Sequence, residues 1–338
     1  MKINKFEIKT ELFLKTLENI PDGVLLADKE ANILINNEAL GKIMLIGGEL
    51  PENVKKLIIS SAKTKKKIET ELTVLYPEKR RLNLTVIPIF ESDEVEEILI
   101  IAKDISTAYL VDAIRKDFAS NASHELKTPV SNLMLIAENI RYAMRNDKEK
   151  VENFMELLDK ETKRLSRLVN DLLDLSRLEK PLKTRSKINV KSLIESSIAD
   201  INQDFVEKGL KLSINIERGL KIEGDLKQLQ TAIVNLLDNA KTYAPEGGTV
   251  KISAARINGN IEIYVEDSGR GIPKKHLNRI FERFYRADEA RSRQSGGTGL
   301  GLAIVKNTME LHKGSVKVES QIGQGSTFTL VFPVQGEL

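Results

Sequence analysis

Between residues 105 and 180 the chain carries no glycine and a single proline, Pro129, and this lack of helix breakers limits its possible folds more than any other feature. Within the segment Leu126, Val130, Leu133, Ala137 and Ile140 recur at alternating spacings of four and three. After the polar break Arg145–Lys150 the pattern resumes at Phe154, Leu158, Leu165, Leu168, Leu172 and Leu175, with Glu161 as the one polar interruption. That periodicity predicts an antiparallel helical hairpin with coiled-coil-like seams. A lone hairpin buries too little apolar surface to stand, so a second copy completing a dimeric four-helix bundle is its natural partner.

The flanks read differently. In residues 1–104 an amphipathic stretch at Leu12–Ile20 stops at Pro21-Asp22-Gly23. Short strands are expected at Gly23–Ala27 and Ile33–Ile35 around the Asp28–Asn32 turn, then at Ile68–Leu75, Leu82–Ile89 and Glu97–Ala102, with a hairpin turn at Ser92–Asp93. Pro181 closes the helical segment, and residues 187–335 return to mixed patterning. Strands are expected there at Leu210–Ile216, Thr249–Ile257, Asn260–Glu266, Ser315–Ser320 and Ser326–Val334, and helices near Val190–Glu207, Leu226–Tyr243 and Leu300–His312. The expected fold class is α/β multidomain, with domains at 1–104, 105–181 and 182–338.

On the first hairpin helix lies Phe118-Ala-Ser-Asn-Ala-Ser-His124-Glu125-Leu126-Lys127-Thr128-Pro129. His124 is two positions from Leu126, roughly 200° around a helix, so it points away from the seam into solvent. An exposed imidazole is a usable nucleophile for a phosphoryl group. Glu125 can accept a proton from one ring nitrogen and so keep the lone pair of the other available. Thr128, four residues on, shares the face of His124 and could position a water for hydrolysis. Pro129 removes the N–H that would bond the Glu125 carbonyl, so the helix is expected to bend or loosen there. This string resembles the phosphoacceptor box of sensor histidine kinases. The resemblance implies that His124 is phosphorylated, that Glu125 aids the transfer, and that Thr128 supports phosphatase activity.

Four motifs follow in the C-terminal part. Asn235-Leu-Leu-Asp-Asn239-Ala240 sits on an expected helix with both asparagines on one face, where amide oxygens suit a hydrated Mg2+. Asp267-Ser-Gly269-Arg-Gly271-Ile272 follows an alternating strand; its glycines let backbone approach a flat ligand, and its carboxylate can accept from an exocyclic amine such as that of adenine. In Ile280-Phe-Glu-Arg-Phe-Tyr-Arg286, Phe281 and Phe284 can anchor a segment while Arg283 or Arg286 reaches phosphate. Gly296-Gly297-Thr298-Gly299-Leu300-Gly301-Leu302 opens a helix, an anion-binding arrangement, and the charged stretch Ala287–Ser295 before it suits a lid. That loop lacks the Gly-Lys-Ser/Thr of a P-loop.

In this order the motifs resemble the N, G1, F and G2 boxes of the ATP-binding domain shared by histidine kinases, gyrase and mismatch-repair ATPases. The resemblance implies an α/β sandwich of the GHKL ATPase type that binds ATP with Mg2+. By analogy Asp267 reads adenine, Asn239 binds the metal, and Gly299 and Gly301 shape the lid. Gly325-Ser-Thr327-Phe328 also fits, on a terminal strand. One departure is Thr242, where family members often carry Lys or Arg; Lys241 and Tyr243 flank it, and either Lys241 or lid arginines would supply the phosphate-contacting charge.

The N-terminal part, with Ile20-Pro-Asp-Gly-Val-Leu-Leu-Ala-Asp28 and Asn36-Asn37-Glu38-Ala39 within Phe13–Gly41, resembles a PAS sensor domain. Residues 1–120 hold neither His nor Cys, which argues against a histidine-ligated haem or a cysteinyl-flavin adduct. A small-molecule sensor and a ligand-free dimerisation module both remain open. A helix running from Asp104 to His124 would carry strain or rotation to the phosphoacceptor.

Composition adds exclusions. With 52 basic and 49 acidic side chains the net charge is +3, which gives no global case for nucleic acid or anionic lipid. No cysteine is present, so disulfides and thiol catalysis are out. No apolar run approaches the roughly 20 residues that span a bilayer, and the segment after Met1 does not read as a signal peptide. The expectation is a cytoplasmic chain, or the cytoplasmic part of a membrane-anchored one. The function expected is autophosphorylation of His124 from ATP and transfer to an aspartate of a response regulator. A GHKL-type ATPase and a catalytically silent dimeric scaffold are the rivals.

Overall fold

The computed structural model describes residues 12, 14–75, 78–178, 180, 182, 185–287 and 297–333, the side chains of residues 108, 111, 112, 114 and 115 excepted. Phe13, Pro181, the lid stretch from residue 288 to 295, Gly296 and Val334, all used in the reading above, lie outside the described residues. The chain forms two compact units, residues 1–117 and 118–338.

The first unit contains β1 (Gly23–Asp28), β2 (Ile33–Asn36), α1 (Glu38–Ile43), α2 (Glu52–Thr64), β3 (Ile68–Val74), β4 (Arg80–Glu91) and β5 (Glu94–Asp104). All five strands pair antiparallel in the order β2-β1-β5-β4-β3. Alternation along β4 and β5 sends Leu82, Leu84, Val86, Ile98, Ile100 and Ala102 inward, against Leu40 and Met44 at α1 and Ile58 of α2. Both helices escaped the sequence reading, though their punctuation is visible. Asn37 caps α1 by accepting from the Leu40 N–H at 3.1 Å, and Pro51 precedes α2, whose end turns on Lys65 at φ +57. Asn37 is also buried, accepts from the Val24 N–H at 2.9 Å, and donates to carbonyls of Leu17, Ile20 and Asp22. One side chain thus ties the segment before β1 to α1.

A long helix follows, α3 (Ser106–Asn146), and then α4 (Lys150–Leu178). The helix runs unbroken through Pro129, whose ring is buried, so the break expected there does not occur. Pro129 and Ala143 form buried points of the intrachain seam, with Leu126, Leu133, Ala137 and Ile140 half-buried. Val130, counted in the seam by spacing, is 41% exposed, as are Met134 at 66% and Leu173 at 50%. Glu161, the polar interruption, bridges the hairpin: it pairs with Arg164 at 3.1 Å and accepts from Asn132 Nδ2 at 3.3 Å.

The remainder of the second unit holds β6 (Ser186–Asn189), α5 (Val190–Ala199), α6 (Asn202–Glu207), β7 (Lys211–Ile216), β8 (Lys221–Gly224), α7 (Leu226–Tyr243), β9 (Thr249–Ile257), β10 (Asn260–Asp267), the short α8 (Lys274–Leu277), α9 (Gly301–Leu311), β11 (Ser315–Gln321) and β12 (Gly325–Pro333). Its main sheet runs β11-β12-β10-β9-β7, parallel only between β7 and β9, and β6 pairs with β8. Val250, Ile252, Ile261, Ile263, Val265 and Leu330 point from this sheet into the core. Leu193 and Ile194 of α5, Leu229, Leu236 and Leu237 of α7 and Val305 and Met309 of α9 cover it, giving a two-layer sandwich. The single helix expected over Val190–Glu207 is two, parted at Asp200–Ile201. Asp200 and Asn202 favour turns over helix interior, and Ile201 is buried at the break. Among the described residues no helix is long and apolar enough to cross a membrane.

Candidate functional site

A cavity of about 880 Å³ opens in the second unit between α7, the turns at the ends of β10 and β12, and the glycine loop before α9. Helix α7 begins at Asp225, whose carboxylate accepts from the Gln228 N–H at 3.0 Å. Leu229, Ala232, Ile233, Leu236, Leu237 and Ala240 occupy its buried face. The same 3.6-residue period turns Thr231, Asn235, Asp238 and Asn239 to the cavity. Asn235 donates to the Thr231 carbonyl at 2.9 Å, and its Oδ1 approaches Gly301 so closely that a Cβ there would lie 2.6 Å away.

At the other end sits Asp267. Its carboxylate accepts the Gly269 N–H at 2.7 Å and the Ser326 N–H, while burial pushes its pKa up. Gly271 lines the cavity at φ +72, and a Cβ on it would come within 2.0 Å of the Gln321 carbonyl, so glycine is required there. Ile272, Tyr243, Gly297, Thr298, Gly299 and Leu302 also line the cavity. Ile280, Phe328 and Ile322 add an apolar wall that the motifs did not identify.

Several expected residues stand off the wall. Gly269 acts through its N–H on Asp267. Phe281 sits behind the wall, edge-on to Phe328 at 6.5 Å. Thr327 pairs with Glu266 across the sheet, and its neighbours Ser326 and Phe328 face the cavity instead. Leu300 is buried against α4. Arg283 lies over the Phe118 ring at 4.9 Å rather than in the cavity. Lys241 is drawn to Asp204 at 2.6 Å and Asp238 at 2.7 Å and does not line it.

Arg286 does line the cavity, and it also reaches out of it. Its guanidinium, 8% exposed, meets the Glu125 carboxylate at 3.1 Å, and Arg164 stands 4.0 Å from the same carboxylate. His124 is exposed beside Glu125 and is not among the lining residues. The Thr128 hydroxyl donates to the His124 carbonyl at 3.3 Å.

Two lining residues come from α4 and had no sequence signal: Arg167 and Asp171. The Thr298 hydroxyl donates to Asp171 Oδ2 at 2.6 Å, and burial pushes the Asp171 carboxyl up to about 6. Around this bond Leu300, Ala303 and Ile304 pack against Leu168, Leu172 and Leu175, with Phe118 and Phe284 at the margin. The glycine loop therefore touches both the cavity and the hairpin.

Comparison with known proteins adds two family matches. Residues 114–181 match the His Kinase A (phospho-acceptor) domain, and residues 224–336 match the histidine kinase-, DNA gyrase B-, and HSP90-like ATPase family. The sensor-like histidine kinase SenX3 of Mycolicibacterium smegmatis is 42% identical over 66% of this chain and 58% of its own length. Sensor protein SrrB of Staphylococcus aureus is 29% identical over 94% of this chain and 55% of its own. This chain thus spans less than two thirds of either relative. The crystal structure of histidine kinase ThkA in complex with response regulator protein TrrA matches with a TM-score of 0.53, covering 95% of this chain and 98% of that one at 19% identity, a likeness of fold.

Proposed function

Because this chain belongs to the sensor histidine kinases, we propose that it transfers the γ-phosphoryl group of ATP to His124 and passes it on to an aspartate of a response regulator. The observation that carries this reading is the ion pair between Arg286, in the cavity wall, and Glu125, next to His124. It links the nucleotide cavity to the phosphoacceptor box across 161 residues of chain.

ATP would lie with adenine toward Asp267 and phosphates toward Asn235, Asn239 and the Gly297–Gly301 loop, whose backbone opens α9 and favours anions. In the transfer a ring nitrogen of His124 bonds to the γ-phosphorus, the bond from that phosphorus to the bridging oxygen breaks, and ADP leaves. Glu125 takes the proton from the other ring nitrogen. Positioning and charge neutralisation supply most of the rate.

The residues present fit Mg2+. Asn239 offers an amide oxygen in the cavity, and no cluster of three His, Cys, Asp or Glu ligands stands among the described residues. That suits an ion held mainly by phosphate and water. Its charge would offset that of the triphosphate.

We assign residues 1–104 to a PAS-like sensor domain, 105–181 to the dimerisation and phosphotransfer hairpin, and 182–338 to the ATP-binding domain. The antiparallel order β2-β1-β5-β4-β3 supports the first assignment. Exposed Val130, Met134, Val169 and Leu173 support homodimerisation through the hairpin, since a bundle would cover them. Thr128, on the face of His124, supports a phosphatase activity toward the partner. The expected setting is cytoplasmic, or the cytoplasmic portion of an anchored kinase.

Incubation with γ-labelled ATP tests the reading. The wild-type chain should acquire an acid-labile, base-stable label that His124→Gln lacks. Turnover of ATP without labelled protein would instead favour an ATPase, and no nucleotide binding a scaffold.

A further inference from the structure

We propose that Arg167, supplied by the hairpin helix α4, is a phosphate-binding residue of the nucleotide cavity. The proposal rests on the ATP-binding reading above and adds a residue to it from outside the ATPase fold.

Geometry places the side chain at the phosphate end. Arg167 and Asp171 are four residues apart on α4, on one face, and both line the cavity. Asp171 is fastened to Thr298 at 2.6 Å, so Arg167 sits one turn from the glycine loop. Across from it on α7 stands Asp238, 4.0 Å from the Arg167 guanidinium, between Asn235 and Asn239 in the same wall. Arg167 therefore lies between the anion-binding loop and the two amides.

Charge makes the same assignment. A triphosphate needs cations, and the others near this end are engaged. Lys241 is held by Asp204 and Asp238, and Arg286 is buried on Glu125. Arg270 lies against the Tyr243 ring at 5.3 Å, in the turn that carries Asp267. Lys227 lines the cavity from the start of α7, about 18 Å along the axis from Asn239 at about 1.5 Å per residue. Arg167 is 49% exposed, and its long contact with Asp238 competes with the 2.7 Å bond from Lys241 to that same carboxylate. A pair so long and so exposed holds the side chain weakly. Five guanidinium donors in a planar fork are then available for phosphate oxygens. The residue also answers for Thr242, which stands where a cationic side chain would otherwise reach the phosphates.

The test is calorimetric titration of the full chain with ATP and Mg2+, and separately with adenosine, for wild type, Arg167→Ala, Arg167→Gln and Arg167→Lys. Neutral substitution should weaken ATP binding about tenfold or more, about 1.4 kcal/mol, and leave adenosine within about twofold; lysine should recover part of the loss. Melting curves check that the neutral variants fold, and either one suffices. Unchanged ATP affinity would overturn the proposal, and so would equal losses for ATP and adenosine, which would mark Arg167 as a structural prop for α7. A wild-type chain that binds neither ligand would remove the ATP reading itself, and the proposal with it.

Discussion

Asp171→Asn should stabilise the second unit, and only above a definite pH. The carboxyl of Asp171 moves from 3.8 to about 6 in the folded chain because burial against the glycine loop disfavours its charge, even with the Thr298 hydroxyl donating to it. Such a change corresponds to about 3 kcal/mol, and residual solvent contact at the site reduces it to about 1–3 kcal/mol. The folded state binds this proton more tightly than the unfolded chain does. Stability therefore falls as pH rises from about 4 to about 6 and stays at the lower level above that. Asparagine is neutral throughout and keeps an oxygen for Thr298. The variant should match wild type near pH 4 and melt higher at pH 7.5, by roughly 2–10 °C for a unit of this size. Thermal unfolding of both proteins across that range is the assay. A variant that melts at or below wild type at pH 7.5, or a gap that does not close toward pH 4, refutes the reasoning.

Two further outcomes are expected. Asp267→Asn should lower ATP affinity by roughly 10–100-fold, the scale of a hydrogen bond to a charged group, without lowering the melting temperature. Comparing ATP with inosine triphosphate, which lacks the exocyclic amine, should show discrimination in wild type and none in the variant. His312 makes the opposite pH contribution to that of Asp171. Its Nε2 accepts the Asp225 N–H at 3.0 Å at the start of α7, and burial lowers its pKa below 6.5. Its contribution is complete above about 6.5 and is lost as pH falls through the lowered value. Urea unfolding between pH 7.5 and 5 should show a decline that is smaller in His312→Gln.

Where local chemistry decides an element, the sequence was enough to read it. Helix α7 begins and ends where it was expected, because Asp225 caps it and Pro245 follows soon after its end. Strand β9 likewise has the bounds its alternation predicts. Helices α1 and α2 were missed because α1 is six residues long and α2 carries a mean hydropathy near neutral, too weak a stripe to count. In the cavity, Asn235, Asn239, Asp267 and Gly271 were legible because a motif compresses their roles into a few adjacent positions. Arg167 and Asp171 were not, since their place depends on how α4 meets α9, which no local spacing encodes. Glu161 falls between the two cases. Its polarity in an apolar seam was visible, whereas Arg164 and Asn132, which satisfy it, were not. Lys241 shows the reverse error, for a nearby cation was read as available when Asp204, far along the chain, engages it.

Helix α9 serves two interiors at once. Val305 and Met309 belong to the core of the sandwich, while Leu300, Ala303 and Ile304 belong to the cluster shared with α4. Leu300 and Ile304 are fully buried, so parting α9 from α4 would bring both into water at a cost of about 3–6 kcal/mol. Saturating a site with ligand at 100 to 1,000 times its Kd returns about 2.7–4.1 kcal/mol. These magnitudes overlap. The hairpin and the sandwich are thus held together by an energy of the same order as a single well-bound small molecule, enough to fix their contact at rest and small enough for a binding event to rival.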